Sequence, residues 1–463
     1  MDLTNSHVDD LVEKARQSLP VWQALGFSGR KKILKAWAAQ LTNNIDEIAK
    51  VISNETGKPV SDATLEATVA IEHLAWAAKH AEKILETQSR PSGLLFANIR
   101  SKVERIPFGV VGVIGPWNYP MHTPMGSISY ALAAGNCVVF KPSEYTPRIG
   151  KLLAEKFNLV APNSYIFQSL DGAPELGIQL TKANVDKIAF TGSTRTAKKV
   201  AAACAERLIP VILECGGKDP VIIAKDANIK LAADEVLWSA MANAGQSCIG
   251  AERVYVVRER SEEFISEISK AAAKLKVGED YGRATMPPQI QVIRSHIEDA
   301  VNKGGKFVVG NLTSIGNEIV EPIIMVDVPE NSLEVTDETF GPTLVVNTVS
   351  SVEEAVKLAN ATNYGLGAAV YSEKNGEEIA SKLNCGMVSI NSVFIFAGIP
   401  SIPFGGIKDS GYGRIHGPEG LLEFTYAKSL VKPIVRLPLP ITSFRRNKFT
   451  DKLIGKVLKA LHR

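Results

Sequence analysis

The chain has 463 residues, of which 45% are hydrophobic and 22% are charged, and these values are typical of a globular protein with two or three domains. The polar, acidic N-terminus MDLTNSHVDD does not look like a secretory signal, and no run of about 18 apolar residues predicts a membrane span. The five cysteines are scattered and form no CxxC pair, which argues against a disulfide framework or a zinc site and favours a reducing, cytoplasmic location.

The formal net charge of +3 is unevenly distributed along the chain. Residues 441–463 carry a net charge of +6, which leaves −3 for the rest. The main body therefore has no basic surplus of the kind that nucleic-acid-binding proteins display, and no nucleic-acid partner is expected. The basic residues of the tail are Arg445, Arg446, Lys448, Lys452, Lys456, Lys459 and Arg463.

The elements that the sequence predicts change in character along the chain. The first residues, up to roughly position 90, show apolar side chains at helical spacing and predict helices. Residues 92–107 alternate in polarity and predict β structure with no helix. From Gly109, short Val- and Ile-rich runs such as GVVGVIGP, NCVVF and KIAFTGS each precede a helix-like segment, which predicts βαβ units and a parallel sheet. A second series, including RVYVV, TLVVNTV and GMVSINS, follows Gly216, so we expect an α/β fold with two Rossmann-like parallel-sheet domains.

Four short stretches carry reactive or ligand-binding side chains. NAGQSCIG places the thiol of Cys248 on a loop of small and amide residues, while LECGGK and GPWNYP place Glu214 and Asn118 at strand ends. FTGST forms a turn that contains Gly192 and Ser193 and begins a helix. Because ligands of α/β sheets bind beyond the carboxyl ends of the strands, we expect all four stretches to lie there together.

These residue types suit one reaction at a carbonyl carbon. A thiolate attacks the carbon and forms an oxyanion, which an Asn side-chain amide and a backbone N–H stabilise by roughly 3–4 kcal/mol per donor. If a nicotinamide ring lies opposite, the adduct expels hydride and becomes a thioester. A carboxylate beside a water molecule then acts as the general base that hydrolyses the thioester.

The sequence resembles the aldehyde dehydrogenase superfamily over essentially its whole length. The resemblance rests on seven motifs in the family's order: GPWNYP, KPSEYTP, FTGST, LECGGK, GQSC, ETFGP and PFGGIKDSGYGR. The short N-terminus and the extended C-terminus look most like the fatty-aldehyde, or class 3, branch. Three residues depart from the common pattern, because Cys215 stands where Leu is usual, Asp219 where Ser is usual and Ala197 where Gly is common.

The resemblance implies a role for each candidate residue. Cys248 is expected to be the nucleophile, Glu214 the general base and Asn118, with the Cys248 backbone N–H, the oxyanion donor. The KPSE segment is expected at the adenosine ribose, FTGST at the pyrophosphate near a helix N-terminus and ETFGP at the nicotinamide ribose. The expected cofactor-binding residues are Trp117, Lys141, Ser143, Glu144, Gly192, Ser193, Glu338 and Phe340.

Glu144 also favours one cofactor over the other. A carboxylate accepts hydrogen bonds from ribose hydroxyls but repels a 2′-phosphate, so NAD is the predicted cofactor. Lys141 softens that exclusion, and NADP stays open as the alternative.

The catalytic residues also have purely structural interpretations. Cys248 alone is typical of a packed thiol, Glu214 of a satisfied strand-end acid and Asn118 of a turn residue. The seven histidines show no metal-ligand spacing, so no metal site is predicted. A direct role for His122 is disfavoured, although it lies close to Asn118 in sequence.

The cofactor residues have an alternative interpretation too. Lys141 and Glu144 also suit a solvated ion pair on the surface. Glu338 lies in a charged stretch and alone is typical of a solvated acid. The motifs around these three residues favour the cofactor role.

Residues beside the motifs are aromatic or aliphatic and predict an apolar substrate tunnel. Such a tunnel favours medium- or long-chain aliphatic aldehydes or polyene aldehydes over charged ones such as semialdehydes. The alternative is that half of these residues are ordinary core, Phe394 or Phe396 first among them. The predicted substrate residues are Tyr119, Met121, Ile249, Ile395 and Phe396.

The tail predicts a basic amphipathic helix, in which Leu453, Ile454, Val457, Leu458 and Leu461 share one face. Such a helix is typical of peripheral binding to a membrane surface. The alternative is a helix packed on the protein's own body or on a dimer partner.

The resemblance also implies a domain organisation that includes a small β bridging, or oligomerisation, element, and a homodimer is the usual state in this branch. The implied ranges are 1–91 and 108–214 for a dinucleotide-binding domain, 215–423 for a catalytic domain, 92–107 and 424–440 for the bridging segment, and 441–463 for the tail.

The leading hypothesis is an NAD(P)-dependent enzyme that oxidises apolar aldehydes to carboxylic acids. One alternative is an acylating dehydrogenase that passes the thioester to coenzyme A or phosphate, which Glu214 disfavours because a hydrolytic base would consume the thioester. The other is a catalytically retired binding protein, which the intact set of Cys248, Glu214 and Asn118 disfavours.

Overall fold

The computed structural model describes residues 3–435 and 443–462, and the chain divides into two compact units. Unit 1 comprises Met1–Ile84 and Pro107–Thr425, and unit 2 comprises Leu85–Ile106 and Tyr426–Arg463. Residues 436–442 and Arg463, which belong to the predicted bridging segment and tail, lie outside the described residues. In the described part of the chain, no helix is both long enough and apolar enough to cross a membrane.

The predicted N-terminal helices are present as four helices, α1 to α4. The third ends at Gly57, whose φ of 82° is the left-handed conformation that commonly terminates a helix. The helices α1–α17 are, in chain order, Leu3–Ala24, Gly26–Asn43, Ile45–Thr56, Val60–Leu85, His122–Ala134, Pro147–Asn158, Pro174–Lys182, Thr194–Ala205, Ile229–Met241, Arg258–Ala272, Gln289–Asn302, Leu333–Thr336, Val352–Ala359, Gly376–Ala380, Ile395–Gly398, Gly417–Glu423 and Lys448–Leu461.

The strands are short and mostly Val- and Ile-rich. Strands β1–β16 are, in chain order, Gln88–Arg90, Ile99–Pro107, Val110–Ile114, Cys137–Lys141, Phe167–Ser169, Lys187–Thr191, Val211–Glu214, Asp219–Ile223, Ala251–Val257, Lys306–Val309, Ile323–Val326, Thr343–Val349, Gly367–Tyr371, Met387–Ile390, Gly411–Tyr412 and Thr425–Pro433. In addition, a one-turn 3-10 helix at Leu94–Phe96 interrupts the stretch that the sequence predicted as β structure alone.

The first sheet of unit 1 has the strand order β15-β7-β6-β3-β4-β5. All its pairs are parallel except β15 with β7. The chain leaves β3 toward β4 on one side and later returns to β6 on the other, so the strand order reverses between β3 and β6. This reversal opens a crevice at the carboxyl ends of the strands, which is where dinucleotides bind in Rossmann-type sheets.

The second sheet of unit 1 has the order β10-β11-β12-β9-β8-β13-β14 and is parallel except for the edge pair β10 with β11. Val254 and Val256 of β9 pack with Val236 of α9 and Phe264 of α10 in one fully buried cluster. Strands such as β8 and β9 are buried along their whole length, as expected for a parallel sheet covered on both faces. The predicted fold class is therefore confirmed.

Helices of the N-terminal segment pack on the first sheet through a buried aromatic cluster. The Trp37 ring of α2 meets Phe157 of α6 edge-on at 5.2 Å and lies 5.5 Å from Phe167 of β5. Trp22 of α1 lies 6.1 Å from the same Phe157 ring. All four side chains are fully buried, so this cluster anchors α1 and α2 to the first sheet.

Unit 2 contains a three-stranded sheet of order β1-β2-β16 and helix α17. The Asn447 side chain caps α17 by accepting hydrogen bonds from the backbone N–H groups of Phe449 and Thr450. Val457 and Leu458 of the predicted apolar face are exposed. The side chain of Leu461 lies outside the described residues.

Candidate active site

The loop that carries Cys248 is shaped by a left-handed turn. Asn243, Ala244 and Gly245 have φ angles of 53°, 57° and 69°, which is a backbone conformation that residues other than glycine rarely adopt. A Cβ atom added to Gly245 would lie only 2.0 Å from the carbonyl oxygen of Gly341. The cysteine loop can therefore pack against the Gly341 backbone only because this position is glycine.

The thiol does not lie at the sheet end that the sequence predicted. Asn118 and Ser193 follow β3 and β6, and Glu214 ends β7, so these three lie at carboxyl ends as expected. Cys248 lies three residues before β9 and thus at its amino end. The reason is the link of four residues, 215–218, between β7 and β8, which is too short for a crossover back to the starting edge.

Cys248 lies in the walls of two cavities. The first has a volume of about 470 Å³ and the second of about 840 Å³, both within the range of roughly 300–1,000 Å³ that is usual for ligand sites. Thr123, Thr191, Cys215 and Cys248 line both cavities. Because Cys248 is only partly buried, its side chain is accessible at the junction between them.

Hydrogen bonds hold both the backbone and the side chain of Asn118 in place. Its backbone carbonyl accepts hydrogen bonds from Lys58 Nζ at 2.8 Å and from Asn243 Nδ2 at 3.0 Å. Its side-chain Nδ2 donates to the carbonyl oxygen of Gln246 at 2.9 Å. An amide nitrogen carries two hydrogens, so one remains to donate to a ligand in the second cavity, whose wall contains both Asn118 and Cys248.

Lys58 and Glu66 form a fully buried ion pair at 2.7 Å beneath this Asn118. The second carboxylate oxygen of Glu66 accepts hydrogen bonds from the backbone N–H groups of Met121 and His122. The pair thus fixes both ends of the segment that follows β3. The sequence analysis missed it, because a Lys and a Glu eight residues apart give no signal that separates a buried pair from a surface one.

Glu214 is buried and its carboxylate has no hydrogen-bond partner among the described residues. Burial raises its pKa well above the ordinary value, Arg414 opposes the shift and Glu423 adds to it. The residue lines the first cavity. A carboxylate with a raised pKa is a stronger base than an ordinary one, which suits it to accept a proton from water.

The Cys248 thiol rests in its protonated form. Burial raises its pKa, and the carboxylates of Glu338, Asp219 and Glu214 raise it further. A cysteine surrounded by negative charge is a poor nucleophile until its proton is removed. Attack by this thiol therefore requires proton transfer to a base at or before bond formation.

Glu338 reaches the site because Gly216 makes room for it and Gly217 binds it. A Cβ on Gly216 would lie 2.1 Å from Glu338 Oε1, and the backbone N–H of Gly217 donates to the same oxygen at 3.2 Å. Burial and the nearby Glu252 raise the pKa of Glu338 to about 8. The glycine pair of LECGGK thus positions a carboxylate on the wall of the second cavity.

All eight residues predicted to bind the cofactor line the second cavity. Lys141 Nζ lies 3.7 Å from the Glu144 carboxylate, and the Trp117 and Phe340 rings meet edge-on at 5.5 Å. Ser193 caps α8, whose N-terminus lines this cavity with a partial positive charge suited to a phosphate. The carboxylates of Glu144 and Glu338, the helix N-terminus and the volume fit a nicotinamide dinucleotide.

The predicted substrate residues divide into two groups. Tyr119, Ile249 and Ile395 line the first cavity, whereas Met121 and Phe396 are buried and belong to the walls of neither cavity. Phe396 instead packs near Phe404, which is the core role that the sequence left open for it. Apolar wall residues that the sequence analysis did not name are Leu65, Val69, Trp238, Phe404 and Ile415.

Three histidines meet beside the first cavity, although the sequence showed no metal-ligand spacing. One potential ligand atom from each of His73, His122 and His416 lies within 4.8 Å of the others. Burial lowers the pKa of His73 to about 3, that of His122 to about 4 and that of His416 well below its ordinary value. All three imidazoles are therefore neutral at physiological pH. They come from separate segments, so spacing could not reveal them.

Residues 1–430 match a family model described as the aldehyde dehydrogenase family. The chain belongs to this family. It is 37% identical over 439 residues to 4,4'-diapolycopene aldehyde oxidase from Methylomonas sp., covering 93% of this chain and 82% of that protein. It is 35% identical over 429 residues to glutarate-semialdehyde dehydrogenase from Pseudomonas aeruginosa, covering 90% and 88%.

Solved structures agree with this membership. The NAD-dependent aldehyde dehydrogenase from Sinorhizobium meliloti superposes with a TM-score of 0.90 at 29% identity, covering 95% of this chain and 89% of that one. The protein is thus an NAD(P)-dependent aldehyde dehydrogenase, and the predicted superfamily is confirmed. The finer assignment to the fatty-aldehyde branch stays a prediction, because these relatives are named for other aldehydes.

Replacing Gly245 tests the turn that presents the nucleophile. We expect Gly245→Ala to lower kcat at least tenfold and to reduce thermal stability, because the added Cβ overlaps the Gly341 carbonyl. The matched control is Gly278→Ala, which has a φ of +93° but open space around the Cβ position. Equal effects of the two substitutions on kcat and Tm would show that backbone strain alone, and not the close approach, matters.

Breaking the buried pair tests whether it positions Asn118. Lys58→Met should destabilise the fold by about 3–5 kcal/mol, because it leaves a buried carboxylate unpaired, and should also lower kcat. The double variant Lys58→Met/Glu66→Gln should recover stability in urea unfolding but not the full kcat. Lys306→Met, which removes one partner of an exposed pair with Asp327, should change little. A Lys58→Met variant as mild as Lys306→Met would contradict this role.

Proposed function

We propose that this aldehyde dehydrogenase oxidises apolar aldehydes, of medium or long aliphatic chain or of polyene type, to carboxylic acids. The observation that carries the proposal is the apolar first cavity, which has Cys248 and Glu214 in its wall. Side chains such as Trp238, Ile249 and Phe404 offer burial to a hydrocarbon chain, each buried methylene contributing about 0.8 kcal/mol.

The charges of the first cavity disfavour an anionic substrate. Among the wall residues that the structure describes, Lys58 is the one cation, and Glu66 already neutralises it at 2.7 Å. Asp62 and Glu235 add negative charge to the same wall. A semialdehyde carboxylate would thus enter without a free cationic partner, at a desolvation cost that an apolar chain does not incur. The relative named for diapolycopene aldehyde also favours the apolar choice, whereas the one named for glutarate semialdehyde represents the alternative.

The proposed reaction begins at Cys248, whose thiol loses its proton to water and adds as the thiolate to the aldehyde carbon. Asn118 Nδ2 and the Cys248 backbone N–H donate to the resulting oxyanion. Bound NAD(P) would supply a hydride acceptor, and loss of the hydride would leave the acyl group on Cys248 as a thioester. Glu214 then removes a proton from water, which attacks the thioester and releases the acid.

The residues of the second cavity are assigned to the cofactor in the same proposal. Lys141 and Glu144 bind the adenosine ribose, Ser193 and the α8 N-terminus bind the pyrophosphate, and Glu338 binds the nicotinamide ribose. The family uses both NAD and NADP. We infer a preference for NAD here, because the Glu144 carboxylate repels a 2′-phosphate. In this assignment the first sheet is the dinucleotide-binding domain and the second sheet the catalytic domain.

We also propose that unit 2 mediates association, either with a second copy of the chain as a homodimer or with a membrane surface. Exposed Phe449, Val457 and Leu458 on the basic helix α17 support the membrane alternative. The three-stranded sheet supports the dimer alternative, because β16 is exposed along most of its length. A cytoplasmic location, peripheral at a membrane if α17 binds lipid, completes the proposal.

Chain length tests the substrate class. We expect kcat/KM for NADH formation to rise from acetaldehyde to decanal, by up to about fourfold per methylene, and to be high for a polyene aldehyde. Cys248→Ala should abolish oxidation while leaving NAD binding intact. A higher kcat/KM for succinate semialdehyde than for decanal would refute the apolar assignment and leave the chemistry standing.

A matched pair of substitutions sharpens this test. Ile395→Glu introduces a carboxylate on the wall of the first cavity and should lower kcat/KM for decanal more than for acetaldehyde. Ile319→Glu, at another exposed apolar residue, which lies outside that wall, should leave both values unchanged. Parallel assays with NADP report the cofactor preference.

The pH dependence of kcat tests the general base. Because burial raises the pKa of Glu214 and only the deprotonated form accepts a proton from water, kcat should rise with pH through a value well above the usual carboxyl range near 4. Glu214→Gln should remove this limb of the profile, whereas Glu338→Gln should retain it. A limb at an ordinary carboxyl pKa would contradict a buried base.

A further inference from the structure

The three histidines beside the first cavity have no task in the reaction described above. His73 lies in the middle of α4, His122 begins α5 and His416 directly precedes α16. Their ring centroids lie 3.8 to 5.7 Å apart, and His122 and His416 line the cavity wall. Three distant segments of the chain thus bring the same side chain to one point.

Four of the six nitrogens of these rings are buried without a hydrogen-bond partner among the described residues. His73 Nδ1, His122 Nδ1 and both nitrogens of His416 have no hydrogen-bond partner among the described residues, although His73 and His416 are at most 1% exposed. Buried polar atoms are nearly always satisfied in proteins. Several unpartnered nitrogen atoms at one point therefore suit a ligand that binds more than one of them at once.

His73 already has the hydrogen bond that is typical of a metal ligand. Its Nε2 lies 3.1 Å from the carbonyl oxygen of Ala397, and since a carbonyl only accepts, Nε2 carries the proton. In the neutral ring Nδ1 then holds a free lone pair. Metal-ligating histidines usually donate their other ring N–H to a carbonyl or carboxylate in this way, which fixes the tautomer and the ring orientation.

His416 adopts a backbone conformation that is otherwise nearly confined to glycine. Its φ of 60° and ψ of 167° lie in a region that is costly for a residue with a Cβ. Gly126 makes room for the ring, because a Cβ there would lie 2.6 Å from His416 Nε2. Backbone strain at His416 and the lack of a side chain at Gly126 thus allow this imidazole to lie in the cluster.

We propose that His73, His122 and His416 bind one divalent transition-metal ion, with Zn²⁺ the best match. Three neutral imidazoles and no carboxylate favour Zn²⁺ or its first-row neighbours over Ca²⁺ and Mg²⁺, which select oxygen ligands. Zn–N bonds of about 2.0–2.1 Å require ligand atoms roughly 3.4 Å apart, so the nitrogen atoms, which lie within 4.8 Å of one another, must approach by at most about 1.4 Å. This site is independent of which aldehyde the enzyme oxidises, because binding is measured without substrate.

The bound ion would join α4, α5 and the segment before α16 at the wall of the first cavity. Three protein ligands leave a fourth tetrahedral position for water or a solute, as in sites that are not closed by the protein. The site is separate from Cys248, Glu214 and Asn118, so its loss and the loss of catalysis are distinguishable.

Metal titration of the full chain tests the proposal. Protein freed of any affinity tag and dialysed against a chelator is titrated with Zn²⁺ by calorimetry and with Co²⁺ by visible absorption. We expect one ion per chain and the d–d bands of Co²⁺ bound by nitrogen ligands. Cys248→Ser should bind equally well, which excludes the thiol as the ligand.

Two ligand variants and one matched control decide the assignment. His73→Gln and His122→Gln should each weaken Zn²⁺ binding by at least about tenfold. His80→Gln, on the same helix as His73 but bonded to the Trp76 carbonyl, should leave it unchanged. The proposal is overturned if the folded wild-type protein binds no ion, if both ligand variants bind as tightly as the control, or if Cys248→Ser abolishes binding.

Discussion

The link of four residues, 215–218, joins the last parallel strand of the first sheet to the first strand of the second, and the whole site depends on it. Because so short a link cannot return the chain to the starting edge, the carboxyl edge of the first sheet faces the amino edge of the second. Glu214 at the end of β7 and Cys248 before β9 therefore line the same cavity. The link also contains Gly216, which makes room for Glu338, and Gly217, whose N–H donates to it, so one segment positions Cys248, Glu214 and Glu338.

Buried charge distinguishes this site from the surrounding core. Burial raises the pKa values of Glu214 and Glu338, and burial together with these acids raises the pKa of the Cys248 thiol. The Lys58–Glu66 pair, by contrast, is compensated and serves to hold the Asn118 peptide in place. Perturbed carboxylates near a cavity are typical of functional sites, whereas a compensated pair beside them is typical of the scaffold that keeps the site rigid.

Much of this arrangement could be predicted from sequence because local signals were strong. Alternating strand and helix patterns indicated the parallel sheets, and short motifs indicated the residues around both cavities. The position of Cys248 could not be predicted in the same way, because the sheet end that a loop reaches depends on the length of a link elsewhere in the chain. The Cys248 loop therefore meets the other three stretches as expected, but it does so from the amino end of β9 and not from the carboxyl end of a strand.

Side-chain direction was the other property that the sequence could not supply. Ile395 and Phe396 are adjacent, yet only Ile395 lines the first cavity while Phe396 is buried in the core. The Lys58–Glu66 pair and the histidine cluster are similarly invisible, because their members become neighbours only through tertiary packing. Residues that act through long-range contacts carry no spacing that a pattern can detect.

The central claim is that Cys248 carries the acyl group that Glu214 helps to hydrolyse. The most direct measurement mixes Glu214→Gln with NAD and a long-chain aldehyde, quenches the reaction in acid and determines the intact mass and the modified peptide. The account predicts one acyl group per chain on Cys248, formed together with one NADH, and a much lower acylated fraction in the wild type. NADH formation at the wild-type rate with no acyl group on Cys248 would contradict it.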